Sequence, residues 1–471
     1  MFDFTYELEQ LNEGDRTPQL IQRIIEKHKP RADEMKLLYE RYRVKEEGLP
    51  ILNRTLDDPM EVNNQVNNDF FSEIIDTKVG FFAGTPVTYK AEGSAGKTIQ
   101  EFQNRNRLAD VDAETTKYAA ICGYASRLQY IDKMGLTRIV NVKPWQAVLI
   151  GENGIDETDY AIRYYTVKTE KEEEYRVEFY EGGEENGQAK LTEFRGSDLS
   201  KLAEFSSMDL VYNFCPMWGY ENNEEMLGDA EKVLRLIDAY DRTISDVNSE
   251  IEAFRMAYMA FFGVEAPDDE EEEKFMKNGT FYFRGAGSTG EKQNAMFITK
   301  DLNDSAIENH LKRIHENIYR FSKTPDMGED AFGGTVSGIA AKYRMLGLEN
   351  KTATFERKFK SASIRMFEIL GSALSKKGSA IDPYAVEMTF TRNFPQDLMN
   401  EADIQTKLKG NVSDETRLGA LSIVTDVQEE LAKMEAEEAA YLEKVDRLEL
   451  NSQDGEKDEL GGSRSGKAGT D

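Results

Sequence analysis

The stretch MLGDAEKVLRLIDAYDRTISDVNSEIEAFRMAYMAF, residues 226–261, carries the most regular pattern in the chain. Met226, Ala230, Val233, Ile237, Tyr240, Ile244, Val247, Ile251, Phe254, Tyr258 and Phe261 step by 4 and 3 throughout. The spacing predicts one helix of about 36 residues, roughly 54 Å long. An ordinary domain helix has about three or four turns. A seam this long needs another helix beside it over its whole length, as in a coiled coil or a long strut in an oligomer. Ile237, Ile244, Val247, Ile251 and Phe254 are its expected packing residues.

Downstream, the acidic run from Glu265 to Glu273 contains Pro267, which ends any helix. Residues 280–283 and 295–299 read as two strands flanking the glycine-rich segment 285–290. Ile307, Leu311, Ile314, Ile318 and Phe321 then repeat the 4, 3 spacing and predict a second long helix. If the two helices are antiparallel, the small β unit between them projects from their tip. SKTPDMGEDAFGGTVSG, residues 322–338, is one long loop, and such loops are usually functional. A third helix is expected over 339–370, with Gly347 marking a kink or close packing. A strand over 384–391 and a helix over 395–408 follow. Ser413 caps a further helix, one or two acidic helices cover 418–448, and the polar tail 451–471 is expected to be disordered.

Upstream, residues 1 to about 130 read as mostly helical. Thr17 caps a helix with Pro18 in its first turn, and Pro30 is expected to stop it. Further helices are expected over 31–45, 63–79, 98–106 and 111–124, with a short strand over 87–90. From 127 to 214 the period changes to two. Segments at 127–131, 137–142, 146–150, 160–167, 175–180, 190–195 and 209–214 alternate with turn signals and predict an antiparallel, meandering sheet. Long helices do not alternate with these strands, so a doubly wound fold is excluded and the class is α+β.

The chain has 471 residues, enough for two or three domains, with 88 Asp plus Glu against 59 Lys plus Arg. A formal charge of −29 repels nucleic acid on average and argues against a protein that grips phosphates. It suits solubility, or a surface past which DNA must slide. Cys122 and Cys215 make neither a disulfide scaffold nor a CxxC metal site. The start, MFDFTYELEQ, has no signal-like apolar run, and no segment is long and apolar enough for a membrane span. The sequons at Asn53, Asn278 and Asn411 then carry no weight.

Gly285, Gly287 and Gly290 match the dinucleotide fingerprint GxGxxG, but a strand and not a helix is expected after them, so a hairpin loop is the better reading. His310 and His315 point apart on one helix, and they and His28 read as surface or boundary residues. No EF-hand, Walker, GxSxG or HExxH pattern occurs. No catalytic residue, cofactor or metal is expected.

The order of elements, with the stretches NNQVNNDFFSEIIDTKVGFFAGTPVTY at 63–89, FGGTVSGIAAKYRMLGLENKTATFERKF at 332–359 and FTRNFPQD at 390–397, resembles the portal proteins of tailed double-stranded DNA phages infecting Gram-positive bacteria. The resemblance covers roughly residues 15–450. It implies a portal-type fold: a wing over 1–222, a stem helix over 223–262, a clip over 263–301, a second stem helix over 302–321 and a tunnel loop over 322–338. A channel-side helix over 339–374, a wing return segment over 375–411 and crown helices over 412–450 complete it. Lys323, Asp326, Glu329, Asp330, Phe332, Thr335 and Lys342 become tunnel-loop candidates. Glu270, Glu271, Glu272 and Glu273, with Gly285, Gly287 and Gly290, become clip docking candidates. The resemblance further implies a ring of twelve copies in the virion, twelve or thirteen when isolated, at the capsid portal vertex and assembled in the host cytoplasm. Implied partners are terminase, head-completion or adaptor protein, and the major capsid and scaffolding proteins, with non-specific contact to double-stranded DNA. The competing reading is a non-portal structural or scaffolding head protein.

Overall fold

The structure is a computed structural model. It describes residues 4–56, 62–168, 173–183, 187–254, 258–262, 280–283, 294–298, 304–328, 338–376, 378, 381–393, 398–421, 423–424, 427–428 and 430–444. Two compact units divide at Asn393 and Phe394.

The first unit opens with α1 (Thr5–Asn12) and α2 (Pro18–Tyr42). Thr17 caps α2 by accepting from the Leu20 amide, as its sequence suggests. Pro30 does not stop α2, which runs through it. A proline inside a helix costs about 3 kcal/mol. The buried face Ile21, Ile24, Ile25, His28, Ala32, Met35 and Leu38 continues across it. Each large apolar side chain buried there returns about 1.5–3 kcal/mol, which offsets the cost.

Helix α3 (Phe70–Ala83) begins later than expected, because residues 63–69 are not helical. After β1 (Thr88–Lys90) come α4 (Gly93–Asn106) and α5 (Leu108–Cys122). The alternating segments form two sheets and not one. The smaller has β2 (Tyr124–Ile131) between β3 (Thr137–Val142) and β9 (Met217–Glu221). The larger runs in chain order through β4 (Ala147–Ile150), β5 (Tyr160–Lys168), β6 (Glu173–Glu181), β7 (Lys190–Gly196) and β8 (Ala203–Asp209). All neighbours in both are antiparallel. The expected strand over 209–214 is absent: the sheet's last strand is β8, and 210–216 turns inward toward β9, burying Tyr212.

The long helix predicted over 226–261 is also corrected. Helix α6 is Leu234–Phe254, 21 residues, and Tyr258–Phe262 is strand β10. Strand β10 lies between β11 (Thr280–Phe283), parallel to it, and β12 (Asn294–Ile298), antiparallel to it. Strands β11 and β12 are therefore not paired with each other, and the simple hairpin reading of 280–299 fails. Helix α7 (Asp304–Ser322) buries Leu311, Ile314 and Ile318 of its predicted seam, but Ile307 is half-buried and Phe321 is exposed, its place at the helix end being taken by Tyr319 and Ser322. Helix α8 (Gly338–Ser375) is 38 residues long and contains Gly347. The strand expected over 384–391 is a short 3-10 turn followed by β13 (Glu387–Thr389), which pairs with β1.

Three apolar clusters fill this unit. In one, Leu20, Ile21, Ile24 and Ile25 of α2 cover Val148, Ile162, Val177, Phe179 and Phe194 of the larger sheet. In the second, Phe82, Trp218 and Tyr220 meet Phe355, Phe359, Met366 and Phe367 of α8. The third joins α2, α3 and β2 to Ile237 of α6 and Ile314, Ile318 and Tyr319 of α7. An ion pair sits beside the second cluster. Arg127 Nη2 lies 2.6 Å from Asp112 Oδ1, and both side chains are buried. Thr115, Tyr220 and Tyr89 complete the hydrogen bonding around the pair.

The second unit holds α9 (Leu398–Leu408), α10 (Asp414–Gly419) and a helical stretch over 430–444. Ser413 caps α10 by accepting from the Thr416 amide.

Candidate functional site

Helix α6 presents two different faces. Asp241, Ser245 and Ser249 recur every four residues and so share one side of it. Residues 64–68 lie along that side. The Asn64 amide donates to Ser249 Oγ at 2.9 Å, the Val66 amide to Ser245 Oγ at 3.0 Å, and the Asn68 amide to Asp241 Oδ1 at 2.8 Å. Side chains reinforce this strap: Asn68 Nδ2 reaches Asp241 Oδ1 and Asn64 Nδ2 reaches Glu252 Oε2. Alternate residues of an extended chain rise about 6.6 Å, close to the 6 Å rise of four helical residues. The two periods therefore match over this length. Burial pushes the Asp241 carboxyl up, although Asn68 hydrogen-bonds it.

The apolar seam lies apart from the strap. Ile237 is buried at the base of α6, Ile244 and Val247 are half-buried, and Ile251 is 51% exposed. Phe254 ends α6, and its side chain lies outside the described residues. The seam is thus closed at its base by the chain itself and open toward its far end.

Helix α7 packs on α6 and α3. Phe70 meets Tyr240, His315 and Tyr319 edge to face at 5.0, 5.6 and 5.9 Å. Tyr319 Oη donates to Glu73 at 2.7 Å. At the end of α7 the chain turns sharply at Lys323, whose φ is +57°. The Ser322 carbonyl accepts from Lys351 Nζ of α8 at 3.0 Å. Lys351 also lies 3.1 Å from Asp229, which sits 2.9 Å from the buried Lys78. Burial pushes the Asp229 carboxyl up, but Lys351 and Lys78 outweigh that and hold it below its usual value. Burial lowers Lys78 to about 8 against the pull of Asp229. This lysine–aspartate–lysine bridge ties α3, the turn before α6, the end of α7 and α8 together.

Of the tunnel-loop candidates, Lys323 is exposed and Asp326 is half-buried, 3.8 Å from His315 Nδ1. Glu329, Asp330, Phe332 and Thr335 lie outside the described residues. Lys342 belongs to α8, its side chain likewise outside them. The clip candidates Glu270, Glu271, Glu272, Glu273, Gly285, Gly287 and Gly290 also lie outside, as does the tail 451–471. A Cβ placed at Gly347 would meet Lys323 only at the ordinary contact distance of 3.5 Å, so the packing here does not itself demand glycine.

One histidine reading is overturned. His28 is fully buried, with Nδ1 3.0 Å from Tyr164 Oη and Nε2 3.1 Å from Tyr124 Oη. Burial lowers it to about 4. Sequence reasoning also passed over the strap and the Lys351 bridge. The four-residue spacing of Asp241, Ser245 and Ser249 was the available signal for the strap. Nothing local marks Lys351.

Among the described residues no group of His, Cys, Asp and Glu is arranged to hold a metal ion, and no helix is long and apolar enough to cross a membrane. What the site offers is mechanical: a helix clamped on one face, open on another, and a firmly anchored loop base.

Comparison with known proteins identifies the class. The phage portal protein family, SPP1 Gp6-like, matches residues 21–444, so the chain belongs to it. The portal protein of Bacillus phage SPP1 is 26% identical over 498 aligned positions, covering 98% of this chain and 95% of that protein. The portal protein of Clostridium phage phiCD119 is 23% identical over 410 positions, covering 83% and 88% respectively. The protein is therefore a structural, non-enzymatic component of the phage portal in the virion. The scaffolding reading is set aside.

Proposed function

We propose that the chain is one subunit of a closed ring at the capsid portal vertex, through which DNA is packaged and ejected. The observation that carries this reading is the unequal treatment of α6. The strap satisfies its polar face within the chain, while its apolar seam is only half-covered at Ile244 and Val247 and open at Ile251. A neighbouring copy in a ring would cover that seam. Helices α6 and α7 then serve as the stem and residues 263–301 as the clip. The N-terminal part to residue 222, with the return segment 375–411, serves as the wing, and residues 412–450 as the crown. The pairing of β13 with β1 supports the return of the chain to the wing.

In this reading residues 322–338 form the tunnel loop and 339–374 the channel-side helix. The tether from Lys351 to Ser322 fixes the start of this segment against the channel-side helix. Its acidic residues guide DNA by repulsion, in keeping with the charge of −29. Terminase and head-completion proteins dock on the clip, the major capsid and scaffolding proteins contact the ring from outside, and assembly takes place in the host cytoplasm. Mass measurement of the purified assembly tests the proposal. Twelve copies of a 53.6 kDa chain give about 0.64 MDa. Thirteen fit an isolated ring equally well. Rods, dimers or monomers at every concentration would refute it.

A further inference from the structure

Strand β8 was invisible in the sequence, and its surroundings explain why. Six of its seven residues, AEFSSMD, are exposed and only Ser206 is half-buried. It buries no side chain, and its contacts are to β7: the backbone ladder, and a 3.2 Å hydrogen bond between the Ser207 and Thr192 hydroxyls. Phe205 is 59% exposed and Met208 52%. The Arg195 guanidinium covers Phe205 at 3.4 Å from the ring centroid.

Other edges of the sheets formed by β2–β9 are met by the chain itself. The Asn106 side chain caps β3, accepting from the Ile139 amide at 3.0 Å and donating to the Thr137 carbonyl at 3.4 Å. Along β9 the Gly219 amide donates to the Ile155 carbonyl at 2.7 Å. All four residues of β4 are buried. Among the described residues no strand pairs with the outer side of β8.

An open strand edge is a template for another chain, and proteins that must stay unpaired blunt it with lysine, proline or a bulge. Strand β8 is irregular at its Phe205 end, but Ser206 to Asp209 keep a regular register, and the strand has neither lysine nor proline. Its charges are Glu204 and Asp209, with no basic residue among the seven. A second copy of β8 brought edge to edge would set carboxylates against carboxylates, which is destabilising. The same charges favour a strand that carries the opposite sign.

We propose that the β8 edge is a docking site for an extended, lysine- or arginine-bearing segment of a partner protein, which joins the five-stranded sheet as one more strand. Backbone hydrogen bonds supply the pairing, Phe205 and Met208 the apolar contact, and Glu204 and Asp209 the preference for a basic chain. The inference stands apart from the assignment of stem and channel, since it uses none of those residues.

Amide hydrogen exchange on the full assembled chain tests it. The probe is a short blocked peptide alternating lysine with valine and threonine, and its control has glutamate at every lysine. The lysine peptide should slow exchange over residues 203–209 and bind at least about tenfold more tightly than the control. Neutralising both acids, Glu204→Gln with Asp209→Asn, should abolish that preference while leaving the melting temperature within a few degrees, since both side chains are exposed and no like-charge pair is created opposite Lys190. Equal binding of the two peptides, or protection only elsewhere, would overturn the proposal. Protection of 203–209 in the assembly before any peptide is added would also overturn it, because a neighbouring copy would then already fill the edge.

Discussion

The nest around Arg127 and the outer half of α6 handle the same problem in opposite ways. Arg127 and Asp112 are shut away from water, and every partner they need comes from the same chain: Thr115 from α5, Tyr220 from β9, Tyr89 from β1. Along α6 beyond Tyr240, the strap supplies partners for one face only, and Ile251 remains in solvent. The first region is complete in a single chain. The second is complete on its polar side and unfinished on its apolar side. Stability and assembly should therefore separate cleanly by mutation.

The largest effect on the isolated chain is expected at the nest. Arg127→Met removes a fully buried cation and leaves Asp112 uncompensated. Breaking a buried pair in this way costs about 3–5 kcal/mol, readable by denaturant unfolding. Unchanged unfolding would mean the nest is not closed, and the contrast with α6 would collapse.

His28 gives the next effect. Its imidazole is lowered to about 4 in the folded chain, against 6.5 for the free group. The unfolded chain therefore binds the proton more readily. The stability this burial confers is fully present above about pH 6.5 and is lost as pH falls toward 4, by on the order of 3 kcal/mol. His28→Gln should flatten that part of the pH–stability curve. An identical slope in both proteins would place the acid sensitivity elsewhere.

Much of this contrast was legible in sequence only on the apolar side. The 4, 3 spacing marks the α6 seam correctly, yet it carries on through Tyr258 and Phe261, which belong to β10. YMAFF fits a helix seam and a strand equally well, and the deciding partners, β11 and β12, lie far along the chain. His28 looked like a boundary residue because its partners Tyr124 and Tyr164 are 96 and 136 positions away. Residues 63–69 read as helix because the apolar run after them is helical. Their amides bond to α6 side chains instead, an arrangement no local propensity encodes. Strand β8 was missed for a simpler reason: a strand that buries nothing has no apolar alternation to detect.

The strap should show a smaller effect than the nest. Ser245→Ala leaves the Val66 amide without its acceptor, at a cost of about 1–2 kcal/mol. Hydrogen exchange should quicken at Val66 and its neighbours Asn64 and Asn68, while the Arg127 nest stays protected. Uniform quickening across the unit would show that the strap is part of the closed core and not a separate clamp.

The smallest effect on the chain is expected to accompany the largest effect on the assembly. Ile251→Asp alters an exposed position, so the isolated chain should change by no more than about 0.5 kcal/mol. If a neighbouring copy covers the seam, the same carboxylate is buried without a partner at every interface of the ring, at a cost of several kcal/mol each. Ring yield by mass measurement should then fall sharply while unfolding of the free chain is unchanged. Ile244→Asp, at a half-buried position, should lower both. The pair separates two explanations of an open seam. Loss of the ring with a stable chain means the seam is an interface. A normal ring from Ile251→Asp means the outer seam faces solvent even in the assembly, and the contact between subunits must then run along some other side of α6 or through another element.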